Sequence, residues 1–164
     1  MSATPACRRS SDWWRPVPEQ VGRLEAIWQK RAHRGTMDAL DVGELIAGEG
    51  LAGSVGKSRR RQVTIIEREV WDRVQEELQA AIPYAARRAN LMISGIRLEE
   101  TRDRVLRIGA TLVKIGGPTT PCERMDEACE GLRAKLAPHW GGGAFAQVIL
   151  GGMLRVGDEV RWEA

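Results

Sequence analysis

The segment Thr119-Thr120-Pro121-Cys122-Glu123-Arg124-Met125 concentrates the reactive chemistry of this chain. Its spacing predicts a helix N-terminus. Thr120 is a natural N-cap, Pro121 suits the first helical position, and Glu123 completes a Thr-x-x-Glu capping box. Cys122, Met125, Cys129, Leu132 and Leu136 then recur at helical spacing. Cys122 is expected in the first turn, at the positive end of the helix dipole, where thiolate is favoured over thiol. A thiolate can ligate a soft metal, carry a persulfide or attack an electrophile. The same spacing sets Cys122 on the apolar stripe, so a buried, inert cysteine is the alternative. Cys129, further along, reads as core filler. Cys7 falls in an N-terminal arm and reads as incidental.

Basic residues supply the second set of candidates. The run Lys57 to Arg61 is either a solvated loop or a cradle for a phosphate or pterin-type anion. Arg61 abuts a predicted strand and is the best placed to be held rigidly; Arg59 and Arg60 are expected to be solvated. Arg87 and Arg88 form a second basic pair ahead of a strand. Asn90 can fix a polar ligand through its amide or cap a turn. Gly53-Ser54-Val55-Gly56-Lys57-Ser58 imitates part of a P-loop, but Leu51 stands where the first glycine belongs, and a strand-like stretch follows where a helix is needed. Nucleotide hydrolysis is excluded on that ground. His33 and His139 have no metal-ligand spacing to any cysteine, which argues against structural zinc.

These residues need a frame. With 164 residues and 43% hydrophobic residues, the chain fits one domain with a real core, residues 21–164, behind a flexible arm at 1–20. Three widely spaced cysteines make no disulfide framework, so a reducing cytoplasm is expected. No apolar run is long enough to cross a membrane. The net charge of +3 permits an anionic ligand without demanding nucleic acid. Trp28, Trp71 and Trp162 fall inside predicted elements, where packing is their expected use, and nucleic-acid binding is not expected.

Strands are predicted at Gly22 to Gln29, with Leu24, Ala26 and Trp28 alternating, at Gln62 to Ile66 and at Asn90 to Ser94. Glu44 to Leu51 reads as irregular or short-stranded. A helix is predicted from Glu67 to about Ala80, with Val70, Trp71, Val74 and Leu78 on one face and Pro83 ending it. Arg104 to Ile108 and Thr111 to Ile115 form a hairpin across Gly109-Ala110. Phe145 to Leu150, Met153 to Val156 and Glu159 to Trp162 read as three strands joined by turns at Gly151-Gly152 and Gly157-Asp158. The class is mainly β with α: seven or eight short strands in a small mixed β-barrel, with two or three peripheral helices. Closure removes exposed edges.

The ordered segments resemble the MOSC domain, named for the C-terminal domain of molybdenum cofactor sulfurases. The pieces are Gly22-Arg23-Leu24-Glu25-Ala26-Ile27, Arg34-Gly35-Thr36-Met37, Gly50-Leu51-Ala52-Gly53, Arg61-Gln62-Val63-Thr64-Ile65-Ile66, Arg88-Ala89-Asn90-Leu91 with Gly95-Ile96, Arg107-Ile108-Gly109, Pro121-Cys122-Glu123-Arg124-Met125, and Leu150-Gly151-Gly152 through Asp158. The resemblance implies a mixed β-barrel with one pocket cysteine that ligates the molybdenum of a pterin cofactor or carries sulfur. It carries over to Cys122 as catalytic residue and metal ligand, and to Arg61, Arg88, Asn90 and Arg124 as cofactor-binding candidates. It also implies reduction of N-hydroxylated compounds, sulfur transfer, or a non-catalytic anion- or cofactor-binding module. A reductase needs an electron-donor protein and a carrier needs a sulfur donor. The pyridoxal-phosphate domain of the large sulfurases has no counterpart in this length. Many members follow Gly-Leu-x-Gly with Asp and then His; here Ser54-Val55-Gly56-Lys57 follows, which favours the carrier and binding-module readings.

Overall fold

The computed structural model describes residues 20–164; Cys7 and the expected arm, apart from Gln20, lie outside the described residues. Eleven strands and three α-helices are formed among the described residues. They are β1 (Val21–Lys30), β2 (Met37–Leu40), β3 (Val42–Ile46), β4 (Gly50–Leu51), β5 (Val63–Glu67), α1 (Arg68–Leu78), β6 (Leu91–Ser94), β7 (Val105–Ile108), β8 (Thr111–Pro118), α2 (Arg124–Ala128), α3 (Leu132–Leu136), β9 (Ala144–Leu150), β10 (Gly152–Arg155) and β11 (Glu159–Trp162). The large sheet runs β11-β7-β8-β9-β5-β6-β1-β2, and β11 also pairs with β1. That pairing closes seven strands into a barrel and leaves β2 as an outer strand on β1. A small sheet, β10-β3-β4, stands beside it.

The barrel interior is filled by β-branched and leucine side chains. Leu24, Ile27, Ile65, Leu91, Ile93, Leu106, Ile108, Val113, Ile115 and Val160 are all essentially inaccessible. The β1 alternation departs from the expected one. The β1–β6 register shifts between Leu24 and Ala26, so Ile27 joins the barrel core and Trp28 packs outside with Ile66, Ala89 and Met92. The hairpin at Gly109-Ala110 forms as the sequence predicts, with Ile108 opposite Thr111. The last three strands are present but do not pair with one another. β9 lies between β8 and β5, β10 pairs with β3, and β11 pairs with β7 and β1. Gly151 is the crossing point from barrel to small sheet. A Cβ there would meet the Leu45 carbonyl at 2.5 Å, so the crossing needs glycine for space.

Almost all neighbouring strands are antiparallel; β5 and β6 are parallel, joined by α1. Trp71 and Val74 are buried on α1, and Val70 and Leu78 pack beside them, as the periodicity predicts. The helix ends at Leu78, with Gln79 left-handed at φ 51°, before Pro83 is reached. Trp71 Nε1 donates to the Ile82 carbonyl at 3.1 Å, and Ile82 N donates to Gln75 Oε1 at 2.8 Å. These bonds fix the returning chain, so Pro83 instead opens a 3-10 turn at Tyr84–Arg87. That turn lies over the outer face of the barrel, where Tyr84 and Ala85 pack on Trp28 and Met92. It delivers Arg87 and Arg88 to the rim where β5 and β6 begin.

Candidate functional site: a cysteine among cations

The segment before α2 differs from the expected capping box. α2 has five residues, Glu123 already has helical backbone, and no side chain caps the helix. Thr120 is exposed. Cys129 is extended at φ −161° and Gly131 is left-handed at φ 88°, which splits the expected helix into α2 and α3. Met125, Leu132 and Leu136 still form a buried stripe against α1, with Cys129 partly buried beside them. Cys122 is off that stripe and exposed, so the buried-thiol alternative is set aside. So short a helix offers little dipole, and the surroundings of Cys122 must come from side chains.

Thr119 holds the segment in place. Its N–H donates to the Gly143 carbonyl at 2.9 Å and its Oγ1 to the Gly142 carbonyl at 2.7 Å. Arg87 Nε donates to the same Gly142 carbonyl at 2.9 Å. Burial holds the Arg87 pKa below its ordinary value; Cys122 opposes that shift and Arg61 adds to it. Arg87 thus lies within electrostatic reach of both Cys122 and Arg61. Arg61 itself is exposed, with its guanidinium 4.9 Å from the centre of the Phe145 ring.

A second group of cations centres on Arg88. Its backbone is left-handed at φ 60°, and Nη1 donates to the Gly35 carbonyl at 2.7 Å. Nε and Nη2 are buried and have no hydrogen-bond partner among the described residues. Burial lowers the Arg88 pKa and Arg124 lowers it further. Lys30, at the end of β1, is lowered by burial, then by Arg88 and Arg124. Lys30, Arg88 and Arg124 therefore form one cationic cluster, and its Arg124 stands two residues from Cys122 along the chain. Arg61 belongs to the neighbouring group around Arg87.

Asn90 sits below these cations with its amide committed to protein. Its Oδ1 accepts from Thr64 N at 3.1 Å, and its Nδ2 donates to Ser54 Oγ at 3.2 Å and to the Trp28 carbonyl at 3.4 Å. It joins β5, β1 and the loop after β4. Ser54, buried at 4% exposure, also accepts the Lys30 backbone N–H at 3.0 Å. Ser54, and no carboxylate, therefore stands between Asn90 and the Lys30 backbone. Lys57 donates to the Leu51 carbonyl at 2.9 Å and leads into a strand, not a helix, which disposes of the P-loop imitation.

Residues 29–161 match the MOSC domain model. The chain belongs to the MOSC domain family. Its fold is also that of solved proteins. The YuaD protein of Bacillus subtilis superposes with a TM-score of 0.74 at 17% identity, over 87% of this chain and 95% of that one. YiiM of Geobacillus stearothermophilus gives 0.69 at 11% identity, over 87% and 75%. YiiM of Escherichia coli gives 0.64 at 18%, over 87% and 70%. No curated protein matches the chain in sequence. This MOSC protein has no group of three His, Cys, Asp or Glu able to cage a metal among its described residues. None of its described helices is long and apolar enough to cross a membrane.

Lys30, Ser54 and Gly142 are not among the sequence candidates, and Arg87 is given no cofactor-binding role there. Arg87 was visible as half of a basic pair. Lys30 and Gly142 carry no sequence signal, because only the pairing of distant strands brings them to the rim.

Proposed function

We propose that this MOSC protein binds the molybdenum cofactor, an anionic pterin phosphate, with Arg88, Lys30 and Arg124 gripping the anion and Cys122 presenting its sulfur. The observation that carries this reading is the Arg88 side chain. Nε and Nη2 form the side-on fork of a guanidinium, which suits two oxygens of a phosphate. A buried donor pair without an acceptor is costly, and two further cations raise that cost. The fork is closed to solvent, so an oxyanion that reaches it does so as neighbouring side chains move aside, and it then satisfies the fork and offsets the repulsion together. The residues also fit a metal that arrives with ligands of its own, since the chain adds one soft thiol and no cage. Bound there, the cofactor supplies a two-electron metal centre. Asn90 and Ser54 shape the floor, and Arg61 and Arg87 set the charge on the Cys122 side.

The exposure of Cys122 favours a second use of the same atom, as a persulfide carrier open to a sulfur-donor or acceptor protein. The experiment is purification from a cofactor-competent host, followed by molybdenum, pterin and cyanide-releasable sulfur analysis. Molybdenum and pterin near one per chain, with molybdenum lost in Cys122→Ala and both lost in Arg88→Met, support the cofactor reading. Cyanide-releasable sulfur on Cys122 without molybdenum supports the carrier. A bound pterin joined to reduction of an N-hydroxylated base by a chemical donor identifies the reductase. Absence of metal, pterin and sulfur leaves an anion-binding module and defeats the reading.

A further inference from the structure

The run from Lys57 to Arg61 reads from sequence as a solvated loop or an anion cradle, with Arg59 and Arg60 solvated. Instead its backbone is fixed. The Arg59 carbonyl accepts from Gln62 Nε2 at 3.0 Å and from Gln147 Nε2 at 3.1 Å. Ser58 Oγ accepts Arg61 N at 3.1 Å, and Ser58 N donates to the Arg61 carbonyl at 3.0 Å. Gln62 is itself buried, with its Oε1 taking Val148 N at 2.8 Å. The loop is thus bolted to β9 through two amide side chains.

Its three arginines border one cavity. Ser58, Arg59, Arg60, Arg61 and Phe145 line a cavity of about 370 Å³. Arg60 and Phe145 also border a smaller recess of about 160 Å³, which Lys114, Asp103 and Gln147 share. Asp103 faces Lys114 at 3.9 Å. The Arg59 and Arg60 side chains have neither an ion pair nor a hydrogen bond among the described residues, and the Arg61 guanidinium lies over Phe145, repelled by Arg87. A solvated charge run gains nothing from a fixed backbone: ordering costs entropy and holds like charges together. A fixed, uncompensated trio around a cavity is what a multiply charged anion needs, because the donors are already oriented.

We infer that the Ser58–Arg61 loop and Phe145 form a phosphoryl-binding subsite, distinct from the Arg88 cluster, that takes a phosphorylated small molecule. Arg59 and Arg60 grip the phosphoryl oxygens from the cavity wall, and Ser58 Oγ and Arg61 close its sides. The inference does not depend on cofactor binding at Cys122. Its source is either a free polyphosphate or the phosphate of a larger ester, and the Phe145 floor separates the two.

The test is calorimetric titration of the full chain with pyrophosphate and with phenyl phosphate at constant ionic strength. In an Arg88→Met background, which removes the other anion site, the chain should bind one equivalent saturably, and the variants are compared in that background. The double variant Arg59→Gln/Arg60→Gln should weaken binding by about thirty-fold or more, as loss of two charge-assisted contacts requires. The charge-matched double variant Arg133→Gln/Lys135→Gln on α3 should leave it unchanged. Gln147→Ala, which removes one of the two bonds to the Arg59 carbonyl while keeping every charge, should weaken it several-fold. Tighter binding of pyrophosphate identifies a free polyphosphate, and tighter binding of phenyl phosphate an aromatic ester. The inference is overturned by non-saturable binding, by equal weakening in both double variants, or by an acidic peptide or an oligonucleotide outcompeting both probes. Circular dichroism of each variant checks the fold, and Arg88→Met, which should retain pyrophosphate binding at this loop, keeps the two anion sites apart.

Discussion

Arg87 and Thr119 share one acceptor: Arg87 Nε and Thr119 Oγ1 both donate to the Gly142 carbonyl, at 2.9 and 2.7 Å. Thr119 stands three residues before Cys122, and Arg87 comes from the 3-10 turn after α1. The Gly142 peptide is therefore the joint between the cysteine segment and the cations. A Cβ on Gly142 would meet the Thr119 carbonyl at 2.3 Å and Pro121 Cδ at 3.1 Å. Gly142→Ala should destabilise the protein by about 1–3 kcal/mol, as overpacking does. It should also change the labelling rate of Cys122, read by timed alkylation and mass spectrometry, since the two contacts it disturbs belong to that segment.

Cys122 should alkylate faster than Cys129. The difference lies in access: Cys122 is exposed, whereas Cys129 is partly buried against the cluster of Trp71, Met125 and Leu132. Iodoacetamide labelling in a Cys7→Ser background, quantified by peptide mapping, checks the order. Cys122→Ser should change stability by less than about 0.5 kcal/mol, as an exposed substitution does.

Arg88 should trade stability for binding. Arg88→Met removes two buried donors without partners and the repulsion from Lys30 and Arg124. It also gives up the bond to the Gly35 carbonyl, at a partly exposed residue that water can reach. The ligand-free variant should gain about 1 kcal/mol in urea unfolding while losing anion-induced stabilisation. A less stable Arg88→Met would mean that the guanidinium serves the fold and not a ligand.

Glu67 predicts a pH dependence at the other end of β5. Burial pushes its carboxyl up to about 7; a bond from the Leu98 backbone opposes this, Glu69 adds to it, and Arg97 and Arg73 counter it. The folded state therefore binds a proton that the unfolded chain releases near pH 4.5. The stabilisation is fully present below that pH and is lost as pH rises through about 7. The loss is on the order of 3 kcal/mol across that window. Glu67→Gln, which mimics the neutral acid, should flatten this slope and be the more stable protein at pH 8. Parallel slopes in thermal melts of the two proteins would rule the assignment out.

What the sequence made legible was local. The β-branched run at Val63–Glu67, the amphipathic face of α1 and the Gly109-Ala110 turn are short-range signals, and each element formed where expected. The capping box failed because its pattern fits any Thr-x-x-Glu, while the segment is held by Gly142 and Gly143, which lie far along the chain. The strand alternation failed at β1 because the bulge beside Glu25 depends on pairing with β6. The Cys122, Arg88 and Arg124 candidates could be named because family motifs mark them. Arg59 and Arg60 could not be separated from an ordinary solvated run, since what distinguishes the loop is the grip of Gln62 and Gln147 on the Arg59 carbonyl.

The seam between β1 and β11 has a consequence for how the molecule is made. Val21 pairs with Arg161 and Arg23 with Glu159, so the barrel closes only when nearly the whole described chain is available. A ribosome-bound chain that lacks β11 has β1 and β7 with open edges, ready to pair with another molecule. Closure of so long a loop is also entropically slow. Yield of soluble protein should therefore respond to synthesis rate and chaperone supply more than to substitutions at the rim, and a chain interrupted before Glu159 should aggregate even though its core residues are nearly all present.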